Sequence, residues 1–336
     1  MDLSDIVKNL KKKYNSVSIG NAVSGPTEFI STGNLAFDLI SDGGVPFGYV
    51  TEFLGKSQSG KSVFIHQIIA NAQRDYDAIG ILVDRENAYI PSRAEETLGI
   101  DGSGLLVVKP RDIPRVYDAF QFILDSISEV RKSDKERYIV VGIDSISAFG
   151  KDVDLGKADP GRKAKAVHEG LREVIPVIDE RIVLIVANQV TYNVGVVFGD
   201  PRTTTAGESM KYYSTVRIAL QDKKKIVDAV RGNEVVGAWL GIESIKTRLG
   251  PCYRTCYVPV YYKRGIDYYG GYDRLLVDRG YINPANKKEF LSFNRKTVVY
   301  KDKKYSDVEK LLEENPELLF DEYPEFNVSP CQGEDE

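Results

Sequence analysis

Gly55, Gly60, Lys61 and Ser62 have the spacing G-x-x-x-x-G-K-[ST] within GKSQSGKS, after the apolar run YVTEFL and before an amphipathic stretch. A strand, a glycine loop and a helix in that order can wrap a phosphate, because tightly turned backbone aims successive N–H groups inward. The helix N-terminus adds partial positive charge. In such a loop Lys61 meets the β- and γ-phosphates of a nucleoside triphosphate and the Ser62 hydroxyl ligates Mg²⁺. Lys56, Ser57, Gln58, Ser59 and Val63 complete the expected lining. The spacing also occurs in ordinary glycine turns, and the flanking strand and helix favour the phosphate loop.

Two strand ends could complete the chemistry. YIVVGID ends in Asp144, a carboxylate that either faces a metal beside the loop or caps a turn. ILVD runs into Arg85 and Glu86. At the carboxyl edge of an open α/β sheet, Glu86 could position and deprotonate a water; elsewhere it would be surface charge.

These residues need a sheet to hold them. Short β-branched runs alternate with amphipathic stretches from about Leu35 to Tyr262: YVTEFL, a helix from Lys61, AIGILVD, LLVV, a helix through Ile113 to Val130, and YIVVGID. Such alternation predicts an α/β fold with a mainly parallel sheet. IVLIVANQ, VRIALQ, VGAWLGIESIK and TCYVPVYY follow without equally long helices between the last of them, so the sheet should be extended by antiparallel strands. Residues 1–31 read as a basic helical arm with Ile6, Val7 and Leu10 on one side. The core spans 32–264, a small α+β domain 265–312 and an acidic tail 313–336, the last without Lys or Arg.

Composition narrows the function. With 336 residues, 42% of them hydrophobic, the chain can bury a large core. Cys252, Cys256, Cys331, His66 and His168 are too few and scattered for a disulfide framework or a zinc site. No run is long enough to span a bilayer, and MDLSDIVKNLKKKY has no apolar leader, so a cytoplasmic protein is expected. A net charge of −4 confines any nucleic-acid binding to local patches. Two long loops offer them, at about 150–163 and 190–209. The first is increasingly basic, with Lys157, Arg162, Lys163 and Lys165, and Arg172 follows; the second mixes glycines and hydroxyls with Val196, Val197 and Phe198. Basic groups there could meet phosphates and apolar groups could wedge between bases.

ISTGNLAFDLISDGGVPFGYVTEFLGKSQSGKS, the DRE strand end, VVGIDSISA, NQVTYNVGVVFGDPRTTTAGESMKYYSTVRI and RGIDYYGG together resemble the bacterial RecA recombinase family, including its bacteriophage-encoded members. The second loop is the most specific element, since a generic P-loop ATPase or a small-molecule kinase has no use for GVVFGDPRTTTAG. The resemblance implies a RecA-type core and an ATP- and Mg²⁺-dependent DNA recombinase. Such a protein forms a filament on single-stranded DNA, pairs it with homologous duplex and hydrolyses ATP under DNA stimulation. It further implies that Gln189 senses the γ-phosphate and that Lys246 and Arg248 reach the neighbouring subunit's nucleotide. Lys165, Arg172, Val194, Phe198, Ala206 and Gly207 match DNA-contacting positions. The arm would pack on the next protomer, and single-strand-binding and loader proteins are implied partners. Arg93 stands where an aromatic residue would stack on adenine, Glu208 where a neutral amide is expected, and Arg202 where an acidic residue is expected. Lys287, Lys288, Lys301, Lys303 and Lys304 resemble a duplex-capturing region for which the acidic tail could compete with DNA. A ring-forming helicase on the same core and a non-catalytic mediator paralogue are the alternatives.

Overall fold

The computed structural model describes residues 2–14, 17–18, 25–149, 161–192, 202–204, 208–228, 230, 232–291, 293 and 297–321. In chain order, α1 (Leu3–Lys11) precedes β1 (Phe29–Ile30), α2 (Leu35–Ile40), β2 (Val45–Pro46), β3 (Val50–Gly55), α3 (Lys61–Tyr76) and β4 (Ile79–Asp84). Then come α4 (Pro91–Leu98), β5 (Leu105–Val108), α5 (Val116–Ser133), β6 (Ile139–Asp144), α6 (Gly161–Val174), β7 (Ile182–Tyr192), β8 (Arg202–Thr204) and α7 (Ser209–Tyr213). Long strands β9 (Val216–Asp228), β10 (Glu234–Lys246) and β11 (Thr255–Tyr261) lead to β12 (Gly265–Ile266), α8 (Tyr272–Asp278), β13 (Asn283–Pro284) and α9 (Lys287–Leu291). The chain continues through β14 (Val298–Tyr300), β15 (Lys303–Tyr305) and α10 (Val308–Glu314).

The central sheet has the order β12-β11-β10-β9-β3-β7-β6-β4-β5, with β8 paired to β7. It is parallel from β5 to β9 and antiparallel from β10 outward, as the shortening connections predict. β9 falls on the parallel side, beside β3. The sheet is buried on both faces, so its central strands are mostly apolar, with buried Glu52 of β3 met by Arg217 and Asn188, and alternate residues feed opposite cores. On β7, Val183, Ile185 and Ala187 join the core that α3 covers, whereas Ile182, Leu184 and Val186 join the one under α5 and α6. Gly170 lets α6 lie close on α5, because a methyl group there would meet the Phe120 ring at 2.1 Å.

Register decides what meets at the carboxyl edge. Gly55 pairs with Gln189 across β3 and β7, and Asp84 with Asp144 across β4 and β6. The phosphate loop, the two strand-end carboxylates and the root of the second long loop therefore share one rim.

The C-terminal segment forms a three-stranded antiparallel sheet, β13-β14-β15, flanked by short helices. Tyr272, Leu275, Ile282, Phe290, Val298, Leu311 and Leu318 continue the core that α3 covers. The Tyr272 hydroxyl donates to the Leu318 carbonyl at 2.8 Å and accepts from the Phe320 N–H at 3.1 Å. Folded chain thus runs into the acidic segment past residue 312. Lys301 pairs with Glu317 at 2.7 Å and Lys303 with Glu314, which puts two of the C-terminal lysines against carboxylates of that segment. α1 buries none of its residues, and Leu3, Ile6 and Leu10 are exposed. Among the described residues no helix is long and apolar enough to cross a membrane.

Candidate functional site

The strand β3 ends in Gly55, and the chain must turn tightly to reach α3. A side chain at Gly55 would meet Ser59 Oγ at 2.1 Å and the Leu220 carbonyl at 2.8 Å, so only glycine fits. Gly60 lies at φ +92°, in the left-handed region open to glycine. As N-cap of α3 it supplies no side-chain hydrogen bond. The first-turn N–H groups of a 16-residue helix therefore have no cap competing for them, the arrangement that favours a phosphate.

A cavity of about 930 Å³ opens there. Gly55, Lys56, Ser57, Gln58, Ser59, Gly60, Ser62, Val63 and Arg93 line it, together with His66, Val190, Lys225, Tyr261 and Tyr262. Lys225 and the two tyrosines carry no motif and come from β9 and the end of β11, which only the folded sheet brings to the loop.

Lys61 is buried and donates to the Gly55 and Lys56 carbonyls at 3.1 and 2.8 Å. Burial lowers its pKa, while the charges of Asp144 and Glu86 act in the opposite sense. Asp144 is 2% exposed, and burial raises its carboxyl to about 6 against a hydrogen bond from Ser62. Its Oδ2 has no hydrogen-bond partner. A buried carboxylate oxygen left over beside a serine hydroxyl is a hard-oxygen pair suited to Mg²⁺, which typically takes one or two protein oxygens and completes its shell with water and phosphate. Among the described residues no cluster of three or more His, Cys, Asp and Glu could hold a metal by itself, so this pair and a phosphate would have to share the ion. Asp144 faces the loop and caps no turn with that oxygen.

Glu86 lies in the turn after β4, exposed at its side chain. Two sets of bonds hold the turn. Arg85 and Glu86 both donate their N–H to the Asp144 carbonyl, at 2.8 and 3.2 Å. Asp84, 1% exposed, accepts from the N–H groups of Ala88 and Tyr89 at 2.8 and 3.1 Å and from Lys109 Nζ at 2.7 Å. His66 packs edge-on against Tyr89, and burial lowers its pKa to about 4, so it is neutral. The Ser145 hydroxyl donates to Glu86 Oε1. Ser145 and Ser147 are 2.8 Å apart at their hydroxyls, and the Gln189 N–H donates to Ser147 Oγ at 3.1 Å. The motif reading passed over both serines and the Asp84–Lys109 pair. The polar SIS after a strand-end Asp was the available signal for the serines, whereas 25 residues separate Lys109 from Asp84.

The basic groups lie elsewhere. Lys246, half-buried, donates to the Lys211 carbonyl and to that of Ser214 at 2.7 Å, and Arg248 to the Tyr212 carbonyl at 2.9 Å. Neither lines the cavity. Lys165 and Arg172 are exposed on α6, and Lys165 lies 3.9 Å from Glu169. Lys163, one of the basic groups that could meet phosphate, donates its ammonium to the Ser147 and Phe149 carbonyls at 2.7 and 2.9 Å. Val194, Phe198, Ala206, Gly207 and Lys157 fall outside the described residues.

A family model described as the RecA N-terminal domain matches residues 1–267. The chain is 30% identical over 322 residues to Protein RecA of Chlorobium chlorochromatii, covering 93% of this chain and 86% of that one. It is 29% identical over 326 residues to Protein RecA of Thermus aquaticus, covering 94% and 91%. Protein RecA of Chloroflexus aggregans is 31% identical over 274 residues, 80% of this chain and 74% of that one.

Proposed function

The chain belongs to the RecA family, and from that premise we propose how its residues divide the work of an ATP-driven DNA recombinase. It is a RecA-type recombinase and a DNA-dependent ATPase that binds nucleotide and single-stranded DNA and self-associates into filaments. The finer assignments are ours. ATP occupies the cavity at residues 55–63, with Lys61 exchanging its loop carbonyls for phosphate oxygens. Mg²⁺ would be held by Ser62 and Asp144, where it would neutralise charge on the β- and γ-phosphates. Glu86 activates the water. Gln189, opposite Gly55 on β7, reports the γ-phosphate to the second loop. Lys246 and Arg248 lie off the cavity and donate to carbonyls in and just after α7, so in a filament they serve the next subunit's nucleotide. Lys165, Arg172 and the loop residues Val194, Phe198, Ala206 and Gly207 contact DNA.

Homologous duplex is the second substrate, with Lys287, Lys288 and Lys304 as candidate contacts. The segments fall into an arm, core, C-terminal unit and acidic tail. Single-strand-binding and loader proteins, a cytoplasmic location and a bacteriophage-encoded branch of the family remain proposals on sequence resemblance. Arg93 at the cavity rim makes base preference an open specificity of this chain.

One observation carries the hydrolytic reading: the unpartnered buried Oδ2 of Asp144, beside Ser62 and Lys61 and next to a turn that holds Glu86. ATP hydrolysis with and without single-stranded DNA, for the parent and Lys61→Ala, together with negative-stain images of the ATP-bound complex, tests it. The expected result is DNA-stimulated turnover and filaments for the parent and loss of turnover in the variant. Absence of both stimulation and filaments in the parent overturns the proposal.

A further inference from the structure

We infer that Ser145 and Ser147 form a positioning relay that ties Glu86 to the roots of both long loops, so that DNA bound at the loops alters hydrolysis through these two hydroxyls. The inference rests on the reading of Glu86 as the water-activating carboxylate and of the loops as the DNA-binding elements. Ser145 is fully buried and Ser147 half-buried, between β6 and the end of β7.

Proton bookkeeping orients the relay. A carboxylate only accepts, and each serine hydroxyl has one proton. Ser145 gives its proton to Glu86 Oε1, so it can only accept from Ser147, whose hydroxyl is 2.8 Å away. Ser147 then donates to Ser145 and accepts from the Gln189 N–H at 3.1 Å. Every donor points the same way, from the backbone of β7 through two hydroxyls to the carboxylate, and hydrogen bonds aligned in this way polarise one another.

Ser147 is also where the first loop reports. Lys163, on the helix that follows that loop, donates to the Ser147 carbonyl at 2.7 Å. One residue therefore receives a backbone donor from the strand that enters the second loop and an ammonium from the helix that leaves the first. A displacement of either element moves Ser147, and Ser147 reaches Glu86 through a single intervening hydroxyl. A carboxylate that gains or loses a donor changes its orientation, which decides whether it can reach a proton of the attacking water.

The test is the ratio of ATP turnover at saturating single-stranded DNA to turnover without DNA, measured for the parent, Ser147→Ala, Ser147→Thr and Ser145→Ala. Damage to packing alone lowers both rates and leaves the ratio in place. The relay predicts that Ser147→Ala and Ser145→Ala reduce the ratio by about fivefold or more, in the range of measured site-to-site couplings, with KM for ATP near that of the parent. Ser147→Thr, which keeps the hydroxyl, retains the parental ratio. A parental ratio in both alanine variants overturns the relay. Glu86→Gln is the parallel control: parental turnover in that variant overturns the assignment of Glu86 itself and the relay with it, whereas an inactive Glu86→Gln beside unaffected serine variants overturns the relay alone.

Discussion

The phosphate end of the cavity and the Lys246–Arg248 corner are both cationic, both lie on the central sheet and both rest a lysine on backbone carbonyls, yet they differ in the groups gathered around that lysine. At the phosphate end Lys61 and Asp144 are buried, and the Glu86 turn is tied to Asp144 and Asp84 by backbone and side-chain hydrogen bonds. At the other corner Lys246 and Arg248 rest on backbone carbonyls near α7, and burial lowers the pKa of Lys246, with Arg248 and Arg217 adding to that effect. Carbonyls are weaker partners for a cation than a carboxylate or a phosphate, so this pair can be transferred. On the division of work proposed above, the anion pocket is one half of a hydrolytic centre, and the Lys246–Arg248 pair of the next subunit is the other.

Removing either half should cost most. Arg248→Ala should lower DNA-stimulated turnover about 10³-fold, as for other arginines supplied across an interface. Lys61→Ala should lower it about 10²- to 10³-fold, typical of losing one transition-state donor. Steady-state rates at saturating ATP and DNA check both losses, and nucleotide binding by a single subunit separates them, because Lys61→Ala should weaken it and Arg248→Ala should not.

Acid sharpens the comparison on the stability side. The His66 pKa is lowered from 6.5 to about 4 by burial, a cause that outweighs Asp84. Between those values the unfolded chain takes up a proton that the folded protein refuses, so the stability His66 contributes is present above pH 6.5 and is lost as pH falls toward 4. Asp38 and Asp144, raised to about 6 by burial, run in the opposite sense, so the difference between proteins is what isolates His66. His66→Leu should remove about 2 kcal/mol of the acid sensitivity between pH 7 and pH 4.5, read from urea unfolding of parent and variant. Identical pH profiles would show that the imidazole is solvated in both states.

The Asp84–Lys109 pair gives the smallest effect. Lys109→Met should release the turn that carries Glu86 and lower kcat about tenfold, with KM for ATP unchanged, because misplacing a catalytic group costs rate and not affinity. Lys109→Arg should restore most of it. A raised KM at parental kcat would assign Lys109 to nucleotide binding.

How much of this was legible in the sequence depends on what each feature requires. GKSQSGKS is contiguous and its meaning is local, so the loop, the preceding strand and the helix from Lys61 to Tyr76 could be read directly. Asp144 and Glu86 were found as strand ends, because the sheet dictates which edge they share. The serine relay was not legible: whether a hydroxyl near a strand end donates to a carboxylate or to solvent depends on the register between β4 and β6, and its link to Gln189 on that between β6 and β7. The same holds for Lys163, which reads as a solvated phosphate contact until the fold lays it over the Ser147 and Phe149 carbonyls. Composition marked 313–336 as a solvated tail, whereas Leu318 is buried, because the Tyr272 side chain fixes the chain there from the opposite side of the C-terminal core.

If each nucleotide site is completed by a second copy of the chain, mixing two inactive proteins should restore activity. Lys61→Ala keeps its basic corner and Arg248→Ala keeps its phosphate loop. Combined in equal amounts on single-stranded DNA, random neighbours in a head-to-tail assembly bring an intact loop to an intact corner at about one interface in four. ATP turnover should recover to roughly a quarter of the parental rate. Co-assembly of the two variants into filaments with no recovered turnover would contradict completion of the site by a second copy.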